Sequence, residues 1–106
     1  MAAYMIVIAK TADRDRFLEG YGKAAAALVA QMGGRYVLRA PGATLLEGDF
    51  GEGASAVISE WPDKAAALEF WQSPAYAEVK KLRAGLADCQ VLLIEAPPLG
   101  TVHEAG

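Results

Sequence analysis

Glu60 and Arg39 are the residues in this sequence best suited to acid–base work on a small molecule. Glu60 lies in the run ASAVISEW (Ala54–Trp61), where strand alternation aligns it with Ala54, Ala56 and Ile58. A carboxylate on so apolar a face is costly to bury unless it is paired. Arg39, in the nearby run RYVLRA, offers a planar fork that can give a carboxylate two hydrogen bonds. In one reading the two form a structural ion pair near a subunit seam, since such networks also perturb pKa values. In the other they are catalytic: Arg39 fixes a carboxylate or enolate oxygen and Glu60 accepts a proton.

The stretch FWQSPAY (Phe70–Tyr76) gathers three aromatic rings around a proline. Large rings commonly fill a core. Trp71 and Tyr76 also carry polar edges, which makes them candidates to flank a bound ligand. Ser73 reads as a helix cap; without a histidine nearby in sequence it lacks the base a nucleophilic serine needs. Glu47 borders the loop GDFGEG (Gly48–Gly53) and is placed to approach a partner subunit. That loop does not follow a strand-to-helix turn as a phosphate loop must, so it reads as a flexible loop or lid. Arg83, by its spacing alone, reads as a solvated or favourably placed charge near a helix C-terminus.

Other chemistries find little support. Cys89 is the only cysteine, which excludes an internal disulfide and a thiolate metal cluster. The only histidine is His103, near the end of the sequence, so neither a histidine-ligated haem nor a zinc site of the usual kind is expected. We expect no metal and no cofactor. The net charge is −3 with no run of Lys or Arg, which argues against nucleic acid. The opening MAAYMIVIAK lacks a basic lead-in and is too short to span a bilayer, so a soluble cytoplasmic protein is expected.

The elements that must position these residues follow from periodicity. YMIVIAK (Tyr4–Lys10) reads as a strand buried on both faces. Asp13 caps a helix whose apolar stripe runs through Phe17, Tyr21, Ala24, Leu28 and Met32 and stops at Gly33-Gly34. Arg35–Ala40 alternates as a second strand, with Tyr36 and Leu38 on one face and Arg35, Val37 and Arg39 on the other. Thr44–Glu47 reads as a short extended piece and Ala54–Trp61 as the third strand. Asp63 starts a helix that Ser73-Pro74 breaks and restarts, closing at Gly85. Cys89–Glu95 is the fourth strand. A single domain over residues 1–96 and a loose tail over 97–106 are expected.

The order β-α-β-β-α-β is the ferredoxin-like α+β arrangement, a four-stranded antiparallel sheet with helices on one face. Right-handed crossovers place the first and third strands in the middle. The bare face would then expose apolar groups from the first and fourth strands, an area soluble chains seldom leave in water. A homodimer with two sheets packed face to face resolves this.

This order of elements resembles the dimeric α+β barrel superfamily. The segments GGRYVLRAPG, LLEGDF and VISEWPDKAAALEFWQSPAYAEVKKLRAG resemble more specifically the family numbered 1330 among domains of unknown function. The pattern that carries this is Gly33-Gly34, Arg39, Glu47-Gly48, Glu60, Ser73-Pro74, Tyr76 and Arg83. It is this resemblance that adds Arg83 to the ligand-binding candidates Trp71, Tyr76 and Glu47. The superfamily implies metal-free monooxygenases, lactone isomerases and haem-handling enzymes, several with a pocket between sheet and helices. The lack of a histidine before His103 departs from the haem-handling relatives. The resemblance thus implies either a metal-free enzyme, monooxygenase- or isomerase-like, acting on a small carbonyl, lactone or phenolic molecule, or a non-catalytic ligand-binding or structural dimer.

Overall fold

The computed structural model describes residues 1–97. Strand β1 spans Ala3–Thr11. A continuous helical run follows: α1 (Arg14–Phe17), a π turn (Leu18–Gly22) and α2 (Lys23–Gln31). Strands β2 (Arg35–Ala40) and β3 (Ser55–Trp61) come next, then α3 (Lys64–Gln72), α4 (Pro74–Lys81) and β4 (Ala87–Glu95). The sheet order is β2-β3-β1-β4 with every neighbouring pair antiparallel, the ferredoxin-like order expected from the sequence. Thr44–Glu47 forms no strand; the loop is closed at its base by hydrogen bonds from Ala43 N to Ala54 O and from Gly53 N to Ala43 O. The expected tail, with His103, lies outside the described residues apart from Pro97.

The caps work as their chemistry dictates. Asp13 accepts from Arg16 N at 3.1 Å and Asp63 from Ala66 N at 2.7 Å. Ser73 has extended backbone, accepts from Tyr76 N at 3.0 Å and donates to Phe70 O at 2.8 Å. It therefore closes α3 and opens α4, with Pro74 in the first turn, where its missing N–H costs nothing.

The first helical run departs from the regular helix expected. Gly20 and Gly22 weaken the helix locally, and the turn between Leu18 and Gly22 widens into a π turn. The widening has a packing consequence. Phe17, Tyr21, Ala25 and Val29 all face the same space. A strict four-residue spacing drifts around a helix of about 3.6 residues per turn, and the wider turn absorbs part of that drift.

The core lies between the helices and one face of the sheet, around Met5, Leu28, Trp61 and Phe70. Trp61 is 1 % exposed, stacks near Phe70 (centroids 4.9 Å apart) and donates its indole N–H to Ser59 Oγ at 2.9 Å. Gly34 packs so tightly on this ring that an added Cβ would sit 2.7 Å from it. Among the described residues no helix covers the other face of the sheet. On it Leu92 and Ile94, on the edge strand β4, are 64 % and 54 % exposed, and Leu38 is exposed on the opposite edge strand β2. The Gly48–Gly53 loop folds toward one end of this face, burying Gly51 near Ile8 and bringing Phe50 beneath the Lys10 ammonium. Among the described residues no helix is long and apolar enough to cross a membrane.

Candidate functional site

A cavity of about 80 Å³ lies between the helices and the covered face of the sheet. Its floor is the centre of that face, where Val7 and Val57 are only half-buried although helices cover them. The opposite wall carries the rings of Tyr21, Phe70, Trp71 and Tyr76. The FWQSPAY stretch thus serves two purposes. Phe70 and Tyr76 are 3 % and 2 % exposed and belong to the core cluster, yet both, with Trp71, also line the cavity. The Ser73 bend makes this possible. It reverses the phase between α3 and α4, so Trp71 and Tyr76 converge with ring centroids 5.1 Å apart.

The polar groups on this apolar surface are few. The Tyr21 and Tyr76 hydroxyls lie 2.7 Å apart. Burial, reinforced by the Tyr76 hydroxyl, pushes the Tyr21 pKa far above its ordinary value. Tyr21 is thus a neutral hydrogen-bonding group and not a base. Burial likewise raises the Tyr36 hydroxyl. Ser55 and Ser59 complete the sheet side, and no carboxylate lines the cavity among the described residues.

Arg39 reaches this site through an irregularity in β2. Arg35 pairs with Glu60 and Tyr36 with Ser59, but the register then slips so that Leu38 pairs with Ile58 and Arg39 with Val57. This bulge at Val37 reverses the parity of the strand. Tyr36 and Arg39 therefore share the covered face, and Arg35 and Leu38 share the open one, correcting the alternation expected from sequence. Arg39 is exposed at the cavity rim, with its guanidinium 4.9 Å from the Tyr36 ring centroid.

The same bulge separates the expected pair. Glu60 lies on the open face, away from Arg39, and its partners are Tyr4 and Arg35. Tyr4 donates to Oε2 at 2.8 Å and Arg35 Nε to Oε1 at 2.7 Å. The Tyr4 hydroxyl first, and Arg35 second, hold the Glu60 carboxyl below its ordinary range. The bond to Glu60 in turn raises the Tyr4 pKa. Glu60 is thus satisfied by neighbours outside the cavity. Glu47 is exposed in the β2–β3 loop and does not line the cavity either.

Arg83 is closer to the chemistry than its spacing suggests. Its guanidinium lies 5.4 Å from the Tyr21 ring centroid, and its Nε is buried with no hydrogen-bond partner among the described residues. Burial works against its charge; Tyr76, Cys89 and Tyr21 outweigh that penalty, so its pKa is raised. Burial raises the Cys89 thiol, which argues against a thiolate nucleophile. Among the described residues no group of His, Cys, Asp and Glu is arranged to hold a metal ion.

Of the six candidates, the structure brings Arg39, Trp71 and Tyr76 to one cavity, sets Arg83 against Tyr21, and leaves Glu60 and Glu47 elsewhere. Sequence reasoning missed Tyr21 as a site residue and ranked Arg39 above Arg35, which is the actual charged partner of Glu60. The GYG triplet inside a helical stripe was the available signal for Tyr21, since two glycines there mark a turn that is not regular helix.

The architecture defines the chain as a ferredoxin-like α+β protein with a cavity under its helices. The model of the DUF1330 family, a domain of unknown function, matches residues 2–97, and the chain belongs to that family. No curated protein matches the chain. Solved structures of similar fold include the RPA0582 protein of unknown function from Rhodopseudomonas palustris (TM-score 0.69, 22% identity, 91% of this chain and 82% of that one). A dimeric ferredoxin-like protein of unknown function from Jannaschia sp. CCS1 superimposes with a TM-score of 0.70 at 15% identity, covering 91% and 100%. SnoaB from Streptomyces nogalater, described as a cofactor-independent oxygenase, superimposes with a TM-score of 0.67 at 18% identity, covering 95% and 96%.

Proposed function

We propose that this chain forms a homodimer and binds a small, mostly apolar molecule carrying a carbonyl, lactone or phenolic oxygen. The observation that carries the reading is the cavity itself: aromatic walls, a largely aliphatic floor, the paired hydroxyls of Tyr21 and Tyr76, a few further hydroxyl-bearing residues and one arginine at the rim. Such a combination, apolar lining with a few convergent polar groups, is what small-molecule sites commonly have. Trp71 and Tyr76 flank the ligand and Arg39 steers or caps its oxygen at the opening. The absence of a lining carboxylate or histidine among the described residues favours binding without turnover.

The dimer rests on the open sheet face. Leu38 at one edge of the sheet and Leu92 and Ile94 at the other bound an apolar side that no helix among the described residues covers. A second copy, packed sheet to sheet, removes it from water on both chains at once. The dimeric description of the Jannaschia protein, which has the same fold, supports this occupant.

Metal-free oxygenation or isomerisation is the second reading. The likeness in fold to SnoaB favours it, as do neutral tyrosine donors and an arginine that could stabilise an enolate oxygen. Soaking crystals with small phenols and lactones tests the binding reading. Density between Val57 and Tyr76 is expected; a closed, ligand-free interior at saturating concentration would overturn it. Oxygen uptake with any ligand so found separates turnover from binding.

A further inference from the structure

The cluster of Tyr21, Tyr76 and Arg83 holds more hydrogen-bond donors than it uses. Each tyrosine has one hydroxyl proton, and an arginine can only donate. The Tyr21–Tyr76 contact at 2.7 Å uses one of the two hydroxyl protons. The other has no acceptor among the described residues. The buried Arg83 Nε–H, beside the Tyr21 ring, has none either. Buried polar groups are normally satisfied, so a surplus of donors in one place needs explaining. Both tyrosines line the cavity. The positive charge behind them discourages a second cation and favours partial or full negative charge.

From this we infer that the polar end of the cavity is a donor-rich site backed by positive charge, which selects a ligand presenting a bare acceptor oxygen, a carbonyl or phenolate, over an ammonium of the same shape. Arg83 is a positioning residue here: its charge, 5.4 Å from the Tyr21 ring centroid, biases the hydroxyls so that the spare proton points away from it and toward the ligand. The inference rests on the proposed binding cavity and narrows the class of molecule it takes.

Three probes of nearly one shape test it on the full chain by calorimetric or NMR titration: acetophenone, ethylbenzene and 1-phenylethylammonium. Acetophenone should bind about tenfold more tightly than ethylbenzene, the effect of one hydrogen bond, and the ammonium should bind least. The preference should survive Tyr21→Phe or Tyr76→Phe alone, since one hydroxyl remains. It should vanish in the double variant, with ethylbenzene affinity held. Equal affinities for ketone and hydrocarbon in the unmodified chain would overturn the donor-rich site yet leave the cavity reading standing. Preferred binding of the ammonium would overturn it as well. Failure of all three to bind would overturn the cavity reading, and this inference with it. The comparison on the unmodified chain decides the matter even if the double variant does not fold.

Discussion

The hydroxyls of Tyr21 and Tyr76, from the π turn and from α4, meet at 2.7 Å across the cavity wall. This contact ties the first helical run to α4 beside the cavity. Removing either hydroxyl should cost about 1 kcal/mol of stability, the usual net worth of a hydrogen bond. Chemical denaturation of Tyr21→Phe and Tyr76→Phe measures it. The double variant should lose less than the sum of the two singles, because both delete the same bond.

Gly34 and Gly20 should respond in opposite directions. At Gly34 an alanine Cβ meets the buried Trp61 ring at 2.7 Å, so Gly34→Ala should destabilise by roughly 1–3 kcal/mol, as overpacking does. At Gly20 a Cβ meets nothing within 4 Å. Gly20→Ala should therefore be neutral or stabilise, by up to about 1 kcal/mol, through helix propensity alone. Thermal unfolding of the two variants side by side checks the contrast.

Glu60 should give the fold an acid-sensitive component. Its carboxyl is held below the ordinary value by Tyr4 and Arg35, so the native state favours the ionised form. The resulting stability is present in full above the ordinary glutamate value of about 4.3 and is lost as pH falls through the lower native value. Glu60→Gln should flatten the acid limb of the stability–pH curve below that point. An unchanged acid limb would show that the cluster does not hold together in solution.

The open face should carry the dimer. Light scattering of the full chain at micromolar concentration should give twice the mass of one chain. Leu92→Asp combined with Ile94→Asp should shift it to monomer, because a charge is buried on each side of the seam.

Most of the fold was legible because it depends on local patterns. Asp13, Asp63 and Ser73 announce helix starts, and short apolar or alternating runs mark four strands whose order admits few topologies. The site was only partly legible, because two local irregularities decide it. A single-residue bulge at Val37 turns Arg39 toward the cavity and hands Glu60 to Arg35; strand parity inverts with one residue, and nothing in RYVLRA marks the place. The π turn, likewise, brings Tyr21 to Tyr76 at a spacing a regular helix does not predict. Arg83 entered the candidate set only by resemblance, since its contact with Tyr21 depends on how α4 lies against the first helical run.

The most direct test of the binding cavity uses the two indole N–H resonances, which report on different places. Trp71 lines the cavity, whereas Trp61 is buried beside it with its N–H bonded to Ser59. Titration of the ¹⁵N-labelled chain with acetophenone should move the Trp71 indole signal and the amides around Val57 and Tyr76 in a saturable way, with Trp61 changing far less. An unmoved Trp71 signal at saturating ligand, or shifts confined to Leu92, Ile94 and the open face, would contradict the account.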